Sequence, residues 1–164
     1  MKLVALSKLF ETRYGHSLEL NRLKQTPRED GGIAFVSRKM GDNGIAAHVE
    51  RIAELEPAPA GELTCALSGN GVLSTFIQDE PFYTAFHVAC LRPIEPMSQE
   101  QLLYYCACIK ANRFRYSYGR QANKTLKDLL LPDPADLPDW INGGLSRVVD
   151  TLSHRLNSIQ RRLP

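Results

Sequence analysis

Apolar residues recur along this chain in two rhythms, one up to residue 91 and another beyond residue 98. The first is a series of short apolar runs separated by polar or Gly- and Pro-rich stretches, the pattern of strands joined by turns. Residues 8–15 predict a short strand stopped by Gly15, and Ser17 to Leu23 a helical turn or ordered loop. Ile33–Ser37 and Gly44–Val49 predict two further strands, joined by the polar loop from Arg38 to Asn43. Pro57, Pro59 and Gly61 forbid regular structure. Leu63–Leu67 and Val72–Ile77 flank Ser68-Gly69-Asn70-Gly71, whose Asn-Gly pair signals a tight hairpin turn. Tyr83–Leu91 is apolar at both odd and even positions, as a central strand buried on both faces would be, with His87 inside it as a satisfied core histidine.

The second rhythm is helical. Ser98 followed by Gln101 forms a capping box, and Leu102, Cys106 and Ile109 make an apolar stripe with Leu103 and Tyr105 alongside. This predicts a helix running to about Asn112. Pro132, Pro134 and Pro138 then form a stiff linker. Beyond it Ile141, Leu145, Val148, Leu152, Leu156 and Ile159 recur every three or four residues, a narrow near-heptad seam between polar positions. A terminal helix of about 20 residues, roughly 30 Å long, is expected, its first turn weakened by Gly143 and Gly144. Its seam needs a cover: the chain's own sheet, a second copy, or a partner protein. The expected architecture is a mixed α/β domain over residues 1–133, with a mixed or antiparallel sheet and flanking helices. Residues 134–164 then form a linker and an assembly helix.

Composition adds bounds. At 164 residues, 43% apolar and 23% charged, the chain suits one compact domain with an appendage. No apolar run approaches the roughly 20 residues needed to span a bilayer, and the start lacks the apolar core and cleavage site of a secretory signal. A cytoplasmic protein without a membrane partner is expected. The cysteines agree. Cys65 and Cys90 lie in apolar runs, and Cys106 and Cys108 are two apart on a helix, so their side chains diverge. CxxC spacing is absent, which favours buried reduced thiols over zinc or disulfides.

Net charge of +2 conceals a strong asymmetry. Between Glu50 and Glu100 eight acids face two bases, whereas 101–127 holds Lys110, Arg113, Arg115, Arg120, Lys124 and Lys127 and no acid. A segment so one-sided either is a solvated face or meets an anion. Within it Arg113, Arg115 and Arg120 alternate with Phe114, Tyr116 and Tyr118, and Gln121, Asn123 and Thr125 follow. Arginine pairs bidentately with guanine and Gln or Asn with adenine, while Lys124 suits a phosphate. The turn with Ser68 and Asn70, and the loop with Arg38, Lys39 and Asn43, offer backbone N–H groups and cations suited to phosphates.

Enzymatic motifs are missing by comparison. His16, His48, His87 and His154 stand far apart, with no HExxH and no GxSxG. Gly119 to Thr125 is one residue short of a phosphate-binding loop, with Asn123 where its second glycine belongs. Asp128, Asp133, Asp136 and Asp139 suit linker and helix-cap roles. No catalytic residue, metal site or cofactor is expected.

Several blocks resemble the target recognition domain of type I restriction-modification specificity subunits. They are Tyr14 to Asn21; Phe35 to Arg38 with Asn43-Gly44; and Ser74-Thr75-Phe76 before Pro81-Phe82-Tyr83. The last comprises Tyr116 to Asn123, followed by Thr125 to Leu129 and Pro132, so that the resemblance covers about residues 8–133. It implies a mixed α/β unit that reads half of a split double-stranded DNA target in the major groove. Catalysis would then belong to partner chains, the methyltransferase subunits and a restriction subunit. It also implies that Arg38 to Asn43, Ser68 to Asn70 and Arg115 to Lys124 face DNA. A full subunit of that family has two such domains and long antiparallel helices. One domain with one helix therefore implies a fragment, or a half-subunit that dimerises through 140–161 to read inverted half-sites. The alternative is an interaction module that docks onto a methyltransferase complex without touching DNA. A small enzyme with an unrecognised site is a third reading.

Overall fold

The computed structural model describes residues 1–116 and 119–161. In chain order the strands are β1 (Leu3–Ala5), β2 (Phe10–Tyr14), β3 (Ile33–Val36), β4 (Ile45–Val49), β5 (Leu63–Ala66), β6 (Thr75–Ile77), β7 (Phe82–Thr84) and β8 (Val88–Pro93). Helix α1 (Gln99–Ala111), β9 (Leu130–Pro132) and helix α2 (Gly144–Gln160) complete the chain. The fold is mixed α/β, as expected. An antiparallel sheet has the order β2-β8-β5-β6, a mixed one β4-β3-β7 with β3 and β7 parallel, and β1 pairs with β9.

The main core lies between the four-stranded sheet, α1 and the β1–β9 ribbon, with Leu6, Phe10, Leu63, Leu91, Tyr105, Ile109 and Leu131 in its interior. Helix α1 starts where the sequence indicates. Ser98 Oγ accepts from Gln101 N–H at 3.2 Å, and the Gln101 side chain accepts from Ser98 N–H at 2.9 Å. Its buried face is Leu102, Tyr105, Cys106 and Ile109, while Leu103 stays exposed. Tyr105 donates to the Pro132 carbonyl at 2.9 Å, tying α1 to β9. Cys65, Cys90 and Cys106 are buried free thiols and Cys108 is half-buried.

Four expectations are corrected. The run Tyr83–Leu91 is two strands in different sheets, β7 beside β3 and β8 between β2 and β5. The break falls at Ala85–His87, where His87 takes φ +58° and Phe86 turns outward, so His87 is a half-buried turn residue. Continuous apolarity cannot reveal the break, because both pieces are buried in their own sheets. The hairpin after β5 is wider than a two-residue turn: Leu67, Val72 and Leu73 sink into the core, Leu73 at φ +61°, and leave only Thr75–Ile77 as strand. The strand expected at 8–15 begins at Phe10, after a turn of 3-10 helix over Leu6–Lys8. The terminal helix has 17 residues, starting at Gly144 with Gly143 at φ +72° before it. Ile141 belongs to the preceding turn and is buried against the domain. No described helix is long and apolar enough to cross a membrane.

Candidate nucleic-acid interface

Three segments singled out in the sequence converge at one end of the sheets. The loop after β3 and the turn after β5 touch directly, Arg38 donating from Nη1 to Ser68 Oγ at 3.0 Å. Arg113, in the 3-10 turn that ends α1, reaches both: its guanidinium donates to the Asn70 carbonyl and stands 3.2 Å from Met40 Sδ. The stretch after Gly119 joins through its backbone, Ala122 N–H donating to the Leu67 carbonyl at 2.8 Å. Ala122 and Leu126 are buried, and Tyr116 shares a 2.8 Å hydrogen bond with Thr125. These anchors leave Arg115, Arg120, Gln121, Asn123 and Lys124 exposed on the outer side. Arg115, Arg120, Gln121 and Thr125 line an open cleft of about 480 Å³ floored by Tyr116 and Leu129.

The side chains divide by what already holds them. Asn43, at φ +54°, donates from Nδ2 to the Ile77 carbonyl at 2.7 Å, and Gln78 donates to the Asn43 carbonyl at 3.0 Å. Its amide therefore locks the loop onto β6. Lys39 pairs with Asp42, whose carboxyl is held below the usual carboxylate range by that bond. Ser68 is buried and Arg113 half-buried, both engaged in the framework. Asn123 donates to Gln121 at 3.1 Å, so these two present a joined amide pair. Tyr118 lies outside the described residues.

Charge pairing is dense over the first part of the chain, where among the described residues only Lys8 and Arg38 lack a carboxylate. It is sparse beyond it, where among the described residues Arg147, Arg155 and Arg161 are unpaired as well. Up to Arg92, Lys2, Arg13, Arg22, Lys24, Arg28, Lys39, Arg51 and Arg92 all form ion pairs with carboxylates. Among the described residues, Lys110, Arg113, Arg115, Arg120, Lys124 and Lys127 meet no carboxylate within ion-pair distance, and neither does Arg38. Arg115 and Arg120 stand together on the cleft, whose lining also includes Asp128, and cations grouped without an ion-pair partner favour an anion. No group of described His, Cys, Asp and Glu residues is arranged to hold a metal ion.

A second surface is apolar. From Leu145 onward every described residue of α2 is exposed, including Val148, Leu152, Leu156 and Ile159, so the seam is not covered by the chain's own sheets. It continues onto Trp140, which meets Tyr104 edge-on at 5.9 Å, and Leu103 of α1 borders the same groove.

Sequence reasoning missed the turn Ala85–His87, which sits among the basic loops. A continuous apolar run gave no signal of it.

No protein-family model and no curated protein matches the chain. Solved structures do. Over 98% of its length the chain is similar to the S subunit of a type I restriction-modification system from M. genitalium, with TM-score 0.62 and 11% identity. It is similar over 99% to the HsdS subunit from Thermoanaerobacter tengcongensis, with TM-score 0.62 and 19% identity. A structure of type I restriction-modification complex assembly and conformational transition matches over 98%, with TM-score 0.65 and 18% identity. The chain spans about 40% of the length of these chains: 41%, 40% and 40%. Its fold is that of the specificity subunits, as the resemblance implied.

Proposed function

We propose that this chain reads double-stranded DNA as the specificity component, or half-subunit, of a type I restriction-modification system and has no catalytic role of its own. One observation carries the reading. The loop with Arg38, the turn with Ser68 and Asn70, and the residues Arg113 to Tyr116 and Arg120 to Lys124 lie far apart in sequence, yet they come together on one rim. There, among the described residues, Arg38, Arg113, Arg115, Arg120 and Lys124 have no carboxylate partner, while Lys39 pairs with Asp42. Phosphate contacts from such a rim fix register and supply affinity, and side chains such as Arg115, Arg120 and Gln121 read base edges. Asn43, Ser68 and Arg113 hold the loops in place; Arg38, Lys39, Asn70, Asn123, Lys124 and Tyr118 complete the face.

Residues 1–133 form the recognition domain, and 134–164 the linker and assembly helix. The exposed seam of α2 carries the assembly, with a second copy of this chain or with methyltransferase subunits, a restriction subunit joining the complex. Such a complex works in the cytoplasm and needs no cofactor on this chain.

The test is binding to a labelled random-sequence duplex at two salt concentrations, with single-stranded DNA as competitor. The expected result is duplex binding whose log affinity falls by about 0.9 per log salt for each phosphate contacted. Absence of duplex binding at low salt, both alone and with a methyltransferase subunit added, overturns the reading. The exposed seam would then favour the second one: a module that docks by α2 and leaves DNA to others.

A further inference from the structure

We propose that Phe86 is a specificity determinant, its ring seating against the C5-methyl group of a thymine in the major groove. The inference rests on the DNA-reading function proposed above and adds a fourth element to that face. Phe86 sits at the break between β7 and β8, and backbone hydrogen bonds place that break in the middle of the basic loops. On one side Ala85 N–H donates to the Val36 carbonyl at 2.8 Å, beside Ser37 and Arg38. On the other, Leu67 N–H donates to the His87 carbonyl at 2.8 Å, and Leu67 in turn accepts from Ala122 N–H at 2.8 Å. The turn is thus flanked by the Arg38 loop and by the Ser68 and Ala122 segments.

The turn is also held. His87 has φ +58°, a conformation that residues with a Cβ rarely adopt, and its Nδ1 shares a 2.9 Å hydrogen bond with the Tyr14 hydroxyl. Surrounding structure fixes it, and the consequence is that Phe86 points outward, 45% exposed. An aromatic ring in water beside Arg38 is an odd choice for a surface that meets only phosphates. Phe86 shares an open cleft of about 570 Å³ with Leu18, Leu20 and Ala85, with Arg38, and with Glu19, whose carboxylate is paired with Arg22, so its surroundings combine an apolar wall, a guanidinium and a neutralised acid.

DNA offers few apolar groups to such a surface. Base faces are stacked away, sugars lie behind the phosphates, and in the major groove the thymine methyl is the apolar feature of the base edges. Burying one methyl contributes enough to change affinity about fourfold. A ring beside an arginine can therefore add preference for thymine next to a hydrogen-bonded base.

The experiment selects a target for the full chain from a random duplex pool, then replaces each thymine of the selected site singly by uracil, which removes only the methyl. One replacement is expected to weaken the wild-type chain about fourfold. The same replacement is expected to be silent for Phe86→Ala, and Phe86→Leu to keep part of the preference. The exposed position makes both variants foldable, and the wild-type arm needs no variant. If every thymine-to-uracil change is silent in the wild type, or if the penalty persists in full in Phe86→Ala, the inference is overturned while DNA reading stands. If no duplex is selected, by the chain alone or with a methyltransferase subunit added, DNA reading itself fails and the role of Phe86 fails with it.

Discussion

Gly71 lies so close to Arg38 that a Cβ built on it would stand 2.1 Å from the Arg38 carbonyl oxygen. The neighbouring atom is backbone, so nothing flexible can swing away. Glycine here is what lets the turn after β5 and the loop after β3 touch. Gly71→Ala is expected to push the two loops apart, with an overpacking cost of about 1–3 kcal/mol. Thermal unfolding and duplex titration together check this. An unchanged midpoint with unchanged affinity would show that the loop contact is not a rigid part of the face.

Charge removal should discriminate within the rim. Arg120→Ala is expected to weaken binding to the selected duplex by about 1–3 kcal/mol if Arg120 reads a guanine, relaxing preference at one position. Lys124→Ala should weaken all sequences alike and reduce the salt slope by about one. Lys24 pairs with Glu50 elsewhere on the surface, so Lys24→Ala should do neither. Equal effects from all three would reduce the rim to nonspecific charge.

Much of this was legible in the sequence, for identifiable reasons. Helix α1 announced itself because Ser98 and Gln101 cap it and its buried positions follow helical spacing, two signals that agree. The basic segment was visible because acids are wholly missing from 101–127. Strands β1 and β9 were not, since three-residue strands carry no period and exist only because they pair with each other, Val4 opposite Leu131. The break at Phe86 was hidden for a related reason: Tyr83 and Val88 are both fully buried, but beneath different sheets. The locking role of Asn43 depends on meeting the Ile77 carbonyl, a partner 34 positions away that local sequence cannot name.

His16 gives the fold a pH dependence. Its Nε2–H donates to the Glu56 carbonyl at 3.0 Å, leaving Nδ1 as a buried, bare nitrogen without a partner. Burial is the chief cause that lowers its pKa below the usual histidine value, with Arg13 adding to it. The neutral form is therefore favoured by folding. The unfolded chain takes up the proton first as pH falls, so the contribution is fully present above the unfolded value near 6.5 and shrinks below it. Denaturant midpoints measured at pH 7.5 and pH 5 should fall towards acid, and His16→Gln should flatten that fall. An identical slope in the variant would assign the pH dependence elsewhere.

The thiols should react in a fixed order. Burial pushes Cys65 and Cys106 up to about 12, and both are enclosed in the core. Cys108 is half-buried, its pKa raised less deeply by the same cause. A thiolate reagent at neutral pH is therefore expected to modify Cys108 slowly in the folded chain and the other three only on unfolding. Peptide mapping of the modified protein checks it. Early labelling of Cys65 would mean that the sheet opens locally next to the turn after β5.

Leu152 tests what the apolar seam is for. It lies in the middle of the α2 stripe, 53% exposed, with Val148 before it and Leu156 after it on the same face. Since the helix beyond Leu145 is not buried against the domain, Leu152→Asp should leave the domain's unfolding midpoint nearly unchanged. It should still prevent assembly, because a carboxylate in a near-heptad seam must be desolvated when another helix covers it. Sedimentation of the wild-type chain is expected to show a concentration-dependent dimer that the variant lacks. If the wild type is monomeric at all concentrations, pull-down with a methyltransferase subunit becomes the deciding measurement, and loss of that contact in Leu152→Asp places the seam there. Charge variants at Arg115 and Arg120 should leave the assembly intact, because the basic rim and the seam are formed by different residues. A dimer lost on removing those charges, yet retained in Leu152→Asp, would reverse the roles of the two surfaces.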